Sequence, residues 1–253
     1  MDFVARSLGY LVVVWLVSLT INLLFYAVTT CSIFCALRLF WKKGLERHKI
    51  QQREASRADV RREILTSLRS VLIFSVIYTA TYFGTKANLF IVYPGIQPLG
   101  ILYLVASIGA ILVAHDTYFY WIHRLMHHRY FFRRFHRTHH KSVTPTVFAC
   151  YALDVPEAVL LGCFIPLWLL VVPMQLAGLL IPATLVLFRN AIGHCGVELF
   201  AHGASRSRWF GWLATNTDHD LHHSTGRYNY GFLFSGWDRL MGTEYPTRRD
   251  QVP

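Results

Sequence analysis

Residues 8–41, "LGYLVVVWLVSLTINLLFYAVTTCSIFCALRLFW", form a nearly unbroken apolar run. About 20 apolar residues in a helix cross the hydrocarbon core of a bilayer. In lipid the backbone must satisfy its own hydrogen bonds, so a run of this kind has one stable form, the α-helix. This run exceeds one span, so the helix is expected to tilt or to emerge from the membrane. Residues 67–84 and 99–114 read as a second and a third span. Between them "TKANLFIVYPGIQP" carries the Pro and Gly of a turn on the far side. The chain turns apolar again from Val147 to Phe188, interrupted by Asp154, Pro156, Glu157, Pro166, Pro173 and Pro182. The part from about 157 to 188 reads as a helical hairpin turning near "VVPMQ". With 54% hydrophobic and only 15% charged residues, the composition agrees with a membrane protein.

The formal net charge is +11. Nucleic acid is one partner of a basic chain, but the distribution argues for topology instead. Only Arg6 and Lys86 fall on what would be the outer side, while the polar segments 42–63, 115–145 and 189–253 hold nearly all the remaining Lys and Arg. Positive residues stay cytoplasmic, which puts these three segments on one face. Segment 42–63 is polar and reads as helical. The expected fold is therefore all-α: a polytopic membrane bundle of about three spans plus a hairpin, with a histidine-rich helical cap on the cytoplasmic side. The five cysteines are scattered without C-x-x-C spacing, so disulfides are not expected. The N-terminal run is too long for the h-region of a cleavable signal.

Histidines crowd into the polar segments. Six of the thirteen fall in "HRLMHHRYFFRRFHRTHH", residues 123–140. Three clusters stand out: His123 with His127, His136 with His139 and His140, and His219 with His222 and His223. Positions i, i+3 and i+4 share a helix face, so each cluster is expected to present its imidazoles in one direction. Neutral imidazole is the commonest side-chain metal ligand. Eight are too many for one ion and about right for two. An even number of crossings brings the clusters to the same side of the membrane. His48 and His202 read as interfacial polar residues, His128 as surface, and His115 is ambiguous. Imidazole suits zinc, copper, iron and nickel, and the lack of a thiolate set argues against Cys-type structural zinc. Two irons that activate oxygen fit, but so does a dizinc hydrolase, and a metal-binding or transport protein stays open. Transporters place ionisable residues near the midplane of their spans, whereas these histidines lie outside them.

The run "HRLMHHRYFFRRFHRTHHKS" and the segments "RNAIGHCGVELF", "TDHDLHHSTGRYNYG" and "WDRLMGT" resemble the fatty acid hydroxylase and sterol desaturase superfamily of integral membrane di-iron oxygenases. The resemblance covers about residues 110–245. It implies a division into an N-terminal transmembrane region, 1–110, and a hydroxylase-like catalytic region, 111–253. It also implies nine ligands to two iron ions: His123, His127, His136, His139, His140, His194, His219, His222 and His223. Zinc would be an adventitious substitute. Some members carry a histidine where Asn190 stands, so one metal would be a ligand short, with a water on Asn190 as a replacement. Asp116, Asp218 and Asp220 are candidates to orient metal-bound imidazoles. The implied reaction uses dioxygen at an unactivated lipid C–H bond and gives an alcohol or a double bond. The sequence has no Rossmann glycine pattern, c-type haem motif or ferredoxin cysteine set. Electrons are thus expected from NAD(P)H through a separate ferredoxin or cytochrome b5 type donor. That donor would dock on the basic face near Arg133 and Arg134. The substrate is expected to be a bilayer lipid. The apolar stretches on either side of "VVPMQ" are either its tunnel or ordinary spans.

Overall fold

A computed structural model describes residues 2–41, 44–96, 100–201 and 207–246. His202 lies outside them. Among the described residues, four helices are long and apolar enough to cross a membrane, with spans at Arg6–Phe40, Arg57–Lys86, Gly100–Met126 and Leu176–Gly193. They belong to α1 (Asp2–Trp41), α2 (Arg57–Lys86), α3 (Gly100–Met126) and α8 (Leu176–Gly193). Leu8, Val17, Leu24 and Val28 on α1 are exposed, as a lipid-facing surface requires.

The hairpin is present, but its first arm is broken. It comprises α6 (Val155–Gly162) and α7 (Phe164–Leu169). Pro166 explains the break, because its ring removes a donor and would collide with the carbonyl of Gly162, four residues back. The two turns assigned to the far side meet there. Strand β1 (Val92–Tyr93) pairs in parallel with β2 (Met174–Gln175). Gln175 Nε2 donates to the carbonyls of Ile96 at 2.6 Å and Gly100 at 3.1 Å.

Of the polar segment 42–63, residues 57–63 are helical as expected, in α2, but residues 49–55 are not. Only Leu45–His48 form a 3-10 turn before Ser56 caps α2. Residues 48–50 instead pair with 196–198: Ile50 N donates to Gly196 O at 3.0 Å and Glu198 N to His48 O at 2.8 Å. Segment backbone that finds such partners gives up the helical ladder. α2 and α3 both outrun their apolar stretches, and α3 continues unbroken into the first histidine pair.

The first two helices grip the connector that follows the second histidine cluster. Tyr26 and Ser67 hydroxyls donate to Phe148 O at 3.0 and 2.8 Å. Thr146 donates to the buried carboxylate of Glu63 at 2.5 Å, and Arg69 to Leu153 O at 2.5 Å. Tyr26, Ile33, Val71, Val147, Cys150 and Leu187 bury together around this connector. A second apolar cluster joins Ile111 of α3 to Phe164, Leu169 and Met174 of the hairpin. All five cysteines are free.

Candidate metal centre

Two short helices carry the second cluster: α4 (Phe132–Phe135) and α5 (Arg137–His140). They are separated at His136, whose φ of −145° leaves the helical range. The third cluster lies on α9 (Asn216–Thr225). Thr215 caps this helix through a reciprocal box with Asp218, and Gly226 closes it at a φ of 67°. His123 is in the last turn of α3, and His127 follows one residue beyond its end.

The nine histidines form two groups, His123, His127, His136, His140 and His222 in one, and His139, His194, His219 and His223 in the other. Within each group one ligand atom per residue lies within 4.8 Å of all the others. The second and third clusters are therefore split, contrary to the one-direction expectation. Sequence neighbours on a helix point about 100° apart, so His139 and His140 diverge, as do His222 and His223. The groups lie side by side, with the His140 and His223 ring centroids 5.0 Å apart.

The imidazoles converge through Nε2. In the first group the Nε2 atoms of His123 and His136 are 3.0 Å apart, and that of His140 is 3.1 Å from those of His127 and His222. In the second, the Nε2 atoms of His194, His219 and His223 are mutually 3.0–3.2 Å apart. Nitrogens at right angles and about 2.1 Å from a metal ion stand about 3.0 Å apart, so the donor set fits a metal in each group.

Main-chain oxygens set three of the tautomers, and one buried carboxyl stands beside a fourth ring. Nδ1 of His123 faces Tyr230 O at 2.9 Å, Nδ1 of His222 faces Tyr228 O at 2.7 Å, and Nδ1 of His194 faces Asn190 O at 2.7 Å. A carbonyl accepts only from a protonated Nδ1, which leaves the lone pair on Nε2 pointing inward. Oε1 of Glu157 lies 2.7 Å from Nδ1 of His136, with both side chains buried. Burial first, and neighbouring imidazoles second, hold His127, His136, His139, His140, His219 and His223 well below the usual histidine range. Burial lowers His194 and His222 to about 4, against the opposing pull of their carbonyls. These imidazoles are neutral at pH 7, as ligation requires.

The carboxylates proposed to orient imidazoles make other bonds. Asp116 Oδ1 accepts from the amides of Leu233 at 2.7 Å and Phe234 at 3.2 Å. Asp218 accepts from Thr215 N at 2.8 Å in the cap of α9. Asp220 accepts from Gln51 Nε2 at 2.8 Å, which ties the third cluster to the segment after α1. Asn190 Nδ2 donates to Cys150 O at 2.6 Å. Sequence reasoning missed Glu157, taken only as a break in an apolar run. The signal was its place three residues after Asp154, the cap of α6, since Asp154 also accepts from Thr138 N, between the second cluster's histidines, at 2.7 Å.

The "WDRLMGT" segment serves the same centre. Asp238 accepts from the amides of Tyr230 at 2.8 Å and Gly231 at 2.7 Å. It thereby fixes the loop whose carbonyls orient His123 and His222. His128 and His48 are exposed, and His115 packs among Phe119, Phe164 and Phe232, outside both groups.

The sequence model of the fatty acid hydroxylase family matches residues 108–243, which contain both groups. The chain belongs to the fatty acid hydroxylase family. Human lathosterol oxidase is 30% identical over 153 residues, 58% of this chain and 47% of that protein. A cholesterol 25-hydroxylase-like protein of Danio rerio is 33% identical over 57% of each chain. A Delta(7)-sterol 5(6)-desaturase of Schizosaccharomyces pombe is 26% identical over 70% of this chain and 57% of its own length. The matched part is thus about half the length of these relatives. No solved structure matches the chain.

Proposed function

We propose that this membrane protein is a di-iron oxygenase that hydroxylates or desaturates a C–H bond of a bilayer lipid. The observation that carries this reading is the pair of adjacent imidazole groups, each converging through Nε2. His123, His127, His136, His140 and His222 would hold one ion, and His139, His194, His219 and His223 the other. Bound iron supplies the reduction of dioxygen and the oxidation of the C–H bond. The chain's own residues do the rest. Glu157 and the carbonyls of Tyr228, Tyr230 and Asn190 hold the rings in register, and burial keeps bulk water from seven of the nine histidines. Relatives named both as a hydroxylase-like protein and as a desaturase keep both outcomes in view. On this reading residues 111–253 carry the chemistry and 1–110 hold it in the membrane, with the metal face cytoplasmic.

Electrons would come from NAD(P)H through a separate ferredoxin or cytochrome b5 type protein. Arg129, Arg133, Arg134 and Arg137 are exposed on the turn that carries the second cluster. Phe132 bridges this surface to His127 and His140, at centroid distances of 5.5 and 5.6 Å. Reversing Arg133 and Arg134 to Glu is expected to slow donor-limited turnover with iron content unchanged, and equal turnover would count against this docking face.

The test of the reading is lipid analysis under heavy dioxygen. Cells making the wild type would be compared with cells making the His139→Ala, His222→Ala variant. A lipid that gains heavy oxygen, or loses two hydrogens, only with the wild type supports it. Turnover that persists without oxygen would make the protein a metal-dependent hydrolase instead.

A further inference from the structure

A cleft of about 560 Å³ lies where the polar end of α1 meets the segment after it. One wall is apolar: Phe34 and Leu37 of α1, with Pro145, Val147 and Val197. The rim is cationic, with Arg38, Lys49 and Arg53 against the single acid Glu54. Glu54 Oε1 is spent on Lys49, 3.1 Å from its Nζ. Among the described residues, neither Arg38 nor Arg53 is paired with a carboxylate, and both are exposed. The guanidinium of Arg38 stands 5.1 Å over the Phe34 ring, which aims it along the cleft side of the helix.

The walls are fixed by main chain. The Lys49–Val197 bridge and the Ile50 N to Gly196 O bond of 3.0 Å join the two sides. Gln51 lines the cleft and locks it to the connector, donating to Val143 O at 2.9 Å and accepting from Thr144 Oγ1 at 3.0 Å. Phe34, Leu37 and Arg38 lie on the last turns of the long apolar helix, whose span ends at Phe40, so the apolar wall is continuous with the span and the cations gather at its polar end.

We propose that this cleft binds a bilayer lipid with an acidic head group, its phosphate between Arg38 and Arg53 and its acyl chain along Phe34 and Leu37. The charge is complementary, guanidinium groups suit phosphate oxygens, and the apolar wall continues into the bilayer. The site goes beyond the oxygenase reading, since neither iron nor turnover enters its test.

That test is native mass spectrometry of the purified full chain in detergent, offered equimolar dioleoylphosphatidylglycerol and dioleoylphosphatidylcholine. The wild type is expected to retain the anionic lipid on the order of tenfold over the zwitterionic one. The Arg38→Gln, Arg53→Gln variant is expected to lose most of that preference, and Arg38→Lys, Arg53→Lys to keep much of it. Arg133→Gln with Arg134→Gln, exposed on the turn of the second histidine cluster and not lining the cleft, is expected to leave it intact. No preference in the wild type would overturn the proposal, as would equal loss in the Arg133, Arg134 control. Displacement of the lipid by glycerol 3-phosphate alone would also overturn it, since a soluble phosphate would then be the ligand.

Discussion

Glu157 is the residue on which the geometry of the first group turns most visibly. Its Oε1 is 2.7 Å from His136 Nδ1, and its Oε2 accepts from Asp154 N at 3.3 Å. One side chain thus orients a ligand and caps α6. Partners of metal-bound imidazoles are typically worth about 10–100-fold in metal affinity. Glu157→Gln is expected to weaken Co(II) binding by roughly that factor, read from its absorption bands, with helix content retained. Unchanged affinity would remove Glu157 from this role. Gly231 is a second such point, because a Cβ there would lie 2.5 Å from Phe234 O and 2.7 Å from Asp238 Oδ2. Gly231→Ala is expected to cost about 1–3 kcal/mol in thermal unfolding and to lower metal affinity by shifting Tyr230 O. All nine histidines were legible as residues. Their orienting partners were not, because three are main-chain carbonyls, which any residue supplies, and the fourth is a Glu whose ligand lies 21 positions earlier in sequence.

At the scale of elements, α9 carries ligands for both groups, and its start is the best-defined cap at the centre. Thr215 Oγ1 accepts from Asp218 N at 3.1 Å while Asp218 accepts from Thr215 N at 2.8 Å. Thr215→Ala is expected to destabilise the protein by about 1 kcal/mol, measured as a lower Tm with far-ultraviolet helix signal preserved. The sequence spacing identified this helix correctly and its direction only in part. His219 and His223, at i and i+4, do face one group together. His222 does not, since it lies about 100° from His223. The same reasoning correctly placed His128 at the surface and, applied to the adjacent pairs, predicts the split. The spans were legible because apolar length leaves the helix as the only form in lipid. The irregular path of residues 49–55 was not, because its hydrogen-bond partners lie near position 196.

For the whole molecule, the α2–α3 pair and the hairpin of α6, α7 and α8 bring together polar segments that are far apart in sequence, and the pairing of β1 with β2 at the other end is the other half of that arrangement. The price is a cluster of eight neutral imidazoles outside the spans, which fixes a pH response for the metal-free protein. Histidine in the unfolded chain titrates near 6.5, whereas in the fold His194 and His222 titrate near 4 and the others lower still. Below about 6.5 the unfolded chain binds more protons, so stability falls as pH falls. Burial raises Asp220 and Asp238 to about 6 and holds Glu157 well above the usual carboxylate range, which acts with the opposite sign from about 4 upward. Three carboxyls do not offset eight imidazoles. The Tm of metal-free protein in detergent is therefore expected to drop from pH 7.5 to pH 5, and a flat or rising Tm would contradict the burial described.

The most direct measurement is the number of iron ions per chain after anaerobic reconstitution, by elemental analysis with Mössbauer spectroscopy. Two imidazole groups predict two irons in the wild type and one in a His219→Ala, His223→Ala variant that keeps the first group whole. A single iron in the wild type, or two irons undiminished in that variant, would contradict the division of the nine histidines into two metal sites.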